Sequence, residues 1–164
     1  ISLFLEVYMI SYEKTARAFK SSTIAIAVLN ILTFVLGLWG LLGIVSIQQA
    51  MKNGTIDKFN LTAKQLAAVK QSITPLSISI TILAIIIAAT IAVFCFLNLS
   101  KLKKQQTISF IPYYLGIGIK TFDIIYSLIF GTFAVFSLII QIAFIVLYFY
   151  TIQKARILAE KEEA

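Results

Sequence analysis

Lys120 and Asp123 are two opposite charges within an otherwise apolar part of the chain. Ionisable groups inside a membrane are costly, and those that occur there commonly bind or move ions. Their i, i+3 spacing lets them pair on one helix face, and a lysine at a membrane boundary can extend its amine to water. We therefore expect a pair at an outer turn between two helices. A turn near Gly131 instead would place both charges inside the membrane and favour a functional role.

Asn30 and Gln141 are amides that each stand within a long apolar stretch. A functional interpretation would have them line a polar pathway together with nearby hydroxyls. One Asn and one Gln are too few to hydrate a pore, and one amide contact between helices contributes on the order of 1 kcal/mol. We therefore interpret both side chains as helix-packing contacts.

Catalytic, metal and nucleotide chemistry is not indicated by the sequence. The chain has no His and a single Cys, Cys95, within an apolar stretch, which argues against zinc, haem and iron–sulfur sites. Gly116 and Gly118 lack the strand, the lysine and the hydroxyl that a phosphate-binding loop needs around them. We expect no enzymatic activity, no metal and no cofactor.

Three uncharged apolar stretches dominate the chain, namely Ile24 to Ile47, Leu76 to Ser100 and Ile124 to Tyr150. Each is 24 to 27 residues long, and a helix needs about 20 apolar residues to cross the hydrocarbon core of a bilayer. Hydrophobic residues make up 60% of the 164 residues and charged residues 13%, which excludes an ordinary soluble domain. The sequence predicts an all-α integral membrane protein.

Four membrane spans, or alternatively three, can be drawn from this pattern, because residues 107–150 hold either two spans or one. We favour a bundle of four transmembrane helices, of which the third is short. The predicted organisation is an amphipathic N-terminal helix at 1–23, spans at 24–47, 76–99, 107–122 and 124–150, an outer loop at 48–75 and a charged helical tail at 151–164.

Charge counting supports four spans with both termini in the cytoplasm. Nine Lys and Arg residues then lie inside and five outside, in agreement with the positive-inside rule. With three spans the count is seven against seven. The inner set is Lys14, Arg17, Lys20, Lys101, Lys103, Lys104, Lys154, Arg156 and Lys161, and the outer set is Lys52, Lys58, Lys64, Lys70 and Lys120.

Two helices outside the spans are also predicted. The first 20 residues form either an amphipathic helix in the headgroup layer or an extension of the first span. In the outer loop, Thr62 and Gln65 form a T-x-x-Q capping box that predicts the start of a short helix.

Small and weakly polar residues recur every three or four positions along the spans, so that each set lies on one helix face. Such faces let transmembrane helices approach closely. We expect helix packing or partner contacts at Asn30, Gly37, Gly40, Ser77, Thr81, Ala84, Ala88, Ala92, Gly131 and Gln141, with Lys120 and Asp123 as a possible intramembrane pair.

The function expected from these features is that of a non-catalytic accessory or scaffolding subunit of a larger membrane complex. The expected partners are the bilayer with its anionic lipids and other integral membrane subunits. The +7 net charge is placed beside the spans, where it favours topology and lipid contacts over nucleic acid. The alternatives are a small homo-oligomeric transporter or channel that uses Asp123, and a membrane immunity or stress protein. The Ile- and Lys-rich composition favours a bacterial cytoplasmic membrane.

Overall fold

The computed structural model describes residues 2–130 and 134–163, and within these residues the secondary structure is helical, without a β-strand. A single 3₁₀ helix, Ile56–Phe59, lies between the first two α-helices. The α-helices are α1 (Ser2–Lys52), α2 (Ala63–Ser72), α3 (Pro75–Lys103), α4 (Ile111–Phe130) and α5 (Val135–Glu163).

Four of these helices, α1, α3, α4 and α5, are long and apolar enough to cross a membrane. Large apolar side chains face outward along them; Trp39, for example, is 77% exposed and Phe136 is 76% exposed. Exposed apolar surface on this scale would be costly in water. It is typical of a protein whose surroundings are lipid.

Helix α1 is continuous from Ser2 to Lys52. The N-terminal segment and the first apolar stretch therefore form one helix, which is the extension that the sequence left open. No Gly or Pro occurs between residues 2 and 36, so no residue of this part strongly disfavours the helix.

The end of α4 differs from the sequence prediction. The helix continues to Phe130, whereas the predicted third span stopped at residue 122. Residues 120–123 contain neither Gly nor Pro, and their charges do not prevent helical hydrogen bonding. Lys120 and Asp123 consequently lie inside α4 and not at a turn between two helices.

The short helix α2 begins with the capping box that the sequence predicts. The Thr62 hydroxyl accepts a hydrogen bond from the Gln65 amide nitrogen at 3.2 Å, and the Thr62 amide nitrogen donates to Gln65 Oε1 at 2.9 Å. This reciprocal pair satisfies two of the amide groups that a helix start leaves unpaired.

The chain forms two compact units, the first holding residues 1–30 and 89–164 and the second residues 31–88. In the first unit, the Phe19 ring of α1 contacts the Tyr113 ring near the start of α4. Arg156 of α5 donates to the hydroxyl of the adjacent Tyr114 at 3.3 Å. The early part of α1 and the late part of α5 therefore lie at the same end of α4.

The second unit contains a close approach of the later part of α1 to the early part of α3. A Cβ atom on Gly37 would lie 2.6 Å from Cγ1 of Ile85, a separation that real Cβ atoms do not adopt. The missing side chain therefore lets Ile85 pack against the backbone of α1, as a small-residue face predicts.

Candidate functional site

The Tyr113 hydroxyl stands at the centre of a buried group of polar side chains in the first unit. We call Thr23, Asn98, Ser109 and Tyr113 the polar cluster. It joins α1, the end of α3 and the start of α4. The side chains of Thr23, Asn98 and Tyr113 are each fully buried.

Asn98 connects α3 to the segment that leads into α4. Its amide nitrogen donates to the Ser109 carbonyl at 2.8 Å, while its Oδ1 accepts from the Ser109 amide nitrogen at 3.0 Å. The same Asn98 nitrogen also donates to Tyr113 Oη at 3.0 Å. Both hydrogens of this amide are thereby used, and its oxygen is paired as well.

The turn that brings Ser109 back to Asn98 follows the end of α3. Gln105 has a left-handed backbone with φ of 58°. The Gln106 amide donates to the Lys101 carbonyl at 2.8 Å, and the Gln105 amide donates to the Leu102 carbonyl at 3.2 Å. These two bonds form a Schellman motif, which ends a helix and reverses the chain.

Tyr113 completes the cluster toward α1. Its Oη lies 2.9 Å from Thr23 Oγ1. Because Oη already accepts from Asn98, its own hydrogen can be donated to the Thr23 oxygen. The Tyr113 ring also meets the Phe19 ring edge to face at a centroid distance of 5.9 Å, an arrangement favoured for aromatic pairs.

A second polar contact joins α1 to α5. Asn30 donates to Tyr148 Oη at 2.9 Å and to the Ile26 carbonyl, also at 2.9 Å. The Tyr148 ring lies against the backbone of α4 at Gly116, where an added Cβ would overlap the ring. Gly116 therefore makes the space that lets the Tyr148 hydroxyl reach Asn30.

The buried polar side chains form hydrogen bonds within the protein. Six such residues are buried in the described part of the chain, and each forms at least one hydrogen bond. They are Thr15, Ser22, Thr23, Asn30, Asn98 and Thr151. Thr15, Ser22 and Thr151 bond to carbonyl groups of their own helices. The bonds of Thr23, Asn30 and Asn98 reach other segments of the chain, and such bonds hold helices in register.

Lys120 and Asp123 occupy the middle of α4, where both are half-buried. The Lys120 amine lies 4.5 Å from the centroid of the Phe144 ring of α5, which is within the range of a cation–π interaction. Asp123, one turn further along α4, attracts the amine electrostatically. These groups are the ionisable pair that the sequence singles out, and the structure adds Phe144 to them.

Gln141 lies on α5 beside a small cavity between α4 and α5. Its Oε1 is buried and has no hydrogen-bond partner among the described residues. The cavity volume is about 10 Å³, which is room for one water molecule at most. Its lining residues are Ile124, Ser127, Ala134, Ser137, Leu138 and Gln141.

The small residues predicted as interfaces differ in their surroundings. Ala88 and Ala92 of α3 are buried inside the chain, at 3% and 7% exposure. Ser77, Thr81 and Ala84 are half-buried. Gly40 is exposed, with open space where a Cβ would stand. Gly131 lies outside the described residues.

Sequence reasoning missed the residues that make the polar cluster. Asn98 continues the small-residue face of α3, since it follows Cys95 by three positions. Extending that face by one step would have found it. Tyr113 was interpreted as an interface tyrosine near a helix start, and neither Thr23 nor Tyr148 carries a local signal that marks it as buried.

Comparison with protein-family models, with curated proteins and with solved structures gives no match to this chain.

Proposed function

We propose that this protein is a non-catalytic accessory subunit of a larger membrane complex, which it positions or stabilises through helix contacts. The observation that carries the proposal is that buried polar side chains form hydrogen bonds within the protein itself. Asn30, Asn98 and Tyr113 hydrogen-bond to other helices or chain segments of the same protein. A subunit of this kind supplies a rigid apolar surface and leaves chemistry to its partner.

The partner surface that we favour lies on the later part of α1. Gly40 and Gly43 both have open space at the Cβ position, and Leu36, one turn earlier, is 68% exposed. Two glycines three positions apart lie on one face and let another helix approach the backbone. A transmembrane helix of another subunit is the occupant that fits this surface.

The membrane orientation that we propose places both termini in the cytoplasm of a bacterial cell. The basic residues near the start of α1, the end of α3 and the end of α5 then lie on the positive-inside face. The contacts of Phe19 and Arg156 at one end of α4 support this arrangement. Labelling of a cysteine introduced at Glu160 from outside intact cells would contradict it.

The test is recovery of partners from the native membrane. The tagged full chain is extracted in mild detergent, and the proteins that co-purify are quantified by mass spectrometry. We expect a stoichiometric larger membrane protein with the wild type. Gly40→Leu should reduce its recovery, because the new side chain occupies the surface that the partner helix needs.

Gly118→Leu is the matched control, since Gly118 also lies in a helix and has open space at its Cβ position. Both variants replace glycine by a better helix former and gain about 1 kcal/mol of helix propensity. Equal recovery with both variants contradicts the proposed surface. A pure homo-oligomer with no other protein contradicts the accessory role.

The position of Asp123 favours a second candidate, a small homo-oligomeric transporter or channel. Because α4 continues to Phe130, Asp123 and Lys120 lie near the middle of a 20-residue helix. A carboxylate at such a depth is a common means of coupling transport to protons or cations. Asp123→Asn should then abolish flux in proteoliposomes, whereas Asp57→Asn, in the exposed 3₁₀ helix, should leave it unchanged. Flux that survives Asp123→Asn contradicts this candidate.

A further inference from the structure

A groove in the first unit lies between α1 and the end of α3. Its volume is about 560 Å³. The residues that line it are Lys20, Leu99, Ser100, Leu102 and Lys103. The two amines and the hydroxyl belong to exposed residues, and the two leucines are half-buried.

The charged residues nearest in sequence to the lining are basic on both helices. Arg17 precedes Lys20 on α1, and Lys101 and Lys104 flank Lys103. Among the described residues, the lining contains no carboxylate. Two amines, each with three N–H donors, and one hydroxyl are groups of the kind that bind phosphate.

The groove also lies at the level where apolar sequence gives way to charge. Lys20 comes four residues before the apolar stretch that begins at Ile24, and Lys103 comes three residues after the stretch that ends at Ser100. Leu99 lies within that stretch. A ligand in the groove would therefore meet the amines of Lys20 and Lys103 together with the apolar side chains of Leu99 and Leu102.

We propose that this groove binds one anionic phospholipid, with its phosphate between Lys20 and Lys103 and an acyl chain along Leu99 and Leu102. Basic pockets between transmembrane helices on the cytoplasmic side hold anionic headgroups in this way. A soluble phosphate would use the two lysines but not the leucines. The phospholipid uses both, and it is therefore the occupant that the lining favours.

Native mass spectrometry of the full chain in detergent tests the proposal, with phosphatidylglycerol and phosphatidylcholine as competing probes. We expect one phosphatidylglycerol to bind in preference to phosphatidylcholine. A lysine that contacts the phosphate directly should contribute at least the roughly fivefold gain in binding that a lysine merely near an anionic membrane surface gives. The double variant Lys20→Gln/Lys103→Gln should therefore weaken binding by about 25-fold or more.

Lys14→Gln/Lys104→Gln is the matched control, because it removes the same charge from exposed residues at the same ends of α1 and α3. Equal weakening by both double variants would mean diffuse attraction and would overturn the site. Displacement of the lipid by an equal concentration of inorganic phosphate, or equal binding of phosphatidylcholine, would overturn it too.

A measurement on the wild type alone covers the case in which a variant fails to fold. Raising the salt concentration from 0.1 M to 1 M shortens the screening length from about 10 Å to about 3 Å, and it should weaken phosphatidylglycerol binding. Binding unaffected by salt would contradict a phosphate held by lysines. The proposal requires a protein in the membrane but no protein partner, so the recovery experiment with Gly40→Leu can fail without affecting it.

Discussion

Replacement of Asn98 is the sharpest test of how the first unit is held together. Asn98→Ala removes three hydrogen bonds, two to the backbone of Ser109 and one to Tyr113. Interhelical hydrogen bonds in membrane proteins average about 0.6 kcal/mol each and reach about 1.7 kcal/mol. The three bonds together account for about 2 kcal/mol on this scale.

The loss of packing adds to this effect. Asn98 is fully buried, and truncation to alanine leaves a cavity that we expect to cost about 1 kcal/mol more. The expected loss in the free energy of unfolding is therefore about 3 kcal/mol. Asn53→Ala is the control, because Asn53 lies in an exposed turn, and such a surface change should stay within about 0.5 kcal/mol.

A double-mutant cycle with Tyr113→Phe isolates the bond between the two side chains. Tyr113→Phe keeps the ring and its contact with Phe19 but loses the bonds to Thr23 and Asn98. We expect it to cost about 1 kcal/mol. The double variant should cost about 0.6 kcal/mol less than the sum of the single variants, since both remove the same bond.

The assay is unfolding by SDS in mixed micelles, followed by the helical circular-dichroism signal. The double-mutant cycle then uses differences between variants measured under the same conditions. A loss below about 1 kcal/mol for Asn98→Ala would refute the reasoning, since the three bonds alone predict more. Perfect additivity in the cycle would show that the side chains of Asn98 and Tyr113 are not bonded to each other.

Two further predictions concern glycine and the capping box. Gly116→Ala should destabilise the protein by about 1–2 kcal/mol, because overlap with the Tyr148 ring outweighs the gain in helix propensity. Gly118→Ala, with open space at its Cβ position, should stabilise it by up to about 1 kcal/mol. SDS unfolding measures both variants, and a change of stability in the same direction for both contradicts the packing of Tyr148 against Gly116. Thr62→Ala removes one half of the box with Gln65 and should cost about 1 kcal/mol locally. Amide hydrogen exchange in α2 should then be about fivefold faster, and an unchanged rate would show that the box does not hold the helix.

The sequence predicts the helices well where the signals are local. The box formed by Thr62 and Gln65 identifies the start of α2 to the residue, because its two bonds join residues three positions apart. The apolar stretches 24–47 and 76–100 likewise lie within α1 and α3, two of the helices long enough to span a membrane. Each of these features depends on a short segment and on its immediate neighbours.

The end of α4 and the polar cluster could not be obtained in the same way. Lys120 and Asp123 were predicted to lie at a turn because they are charged, but a charged side chain does not by itself end a helix. Helix α3 ends in a Schellman motif with Gln105 at the left-handed position, where glycine is the usual residue. The partners Thr23 and Tyr113 are 90 residues apart, and helical periodicity contains no information on which distant faces meet.

Because the chain is synthesised from its N-terminus, the sequence separation of two residues determines how soon they can form a hydrogen bond during synthesis. Asn98 and Ser109 are only 11 residues apart, so the α3–α4 hairpin can close as soon as both helices have emerged. Asn30 must wait for Tyr148, 118 residues later, and at a synthesis rate of roughly 5–20 residues per second that delay is on the order of 10 s. During that interval the Asn30 amide of α1 lacks its tyrosine partner. A chain released before residue 148 would keep the bond from this amide to the Ile26 carbonyl but would lack the one to Tyr148, so that interrupted synthesis leaves α1 without its polar contact to α5.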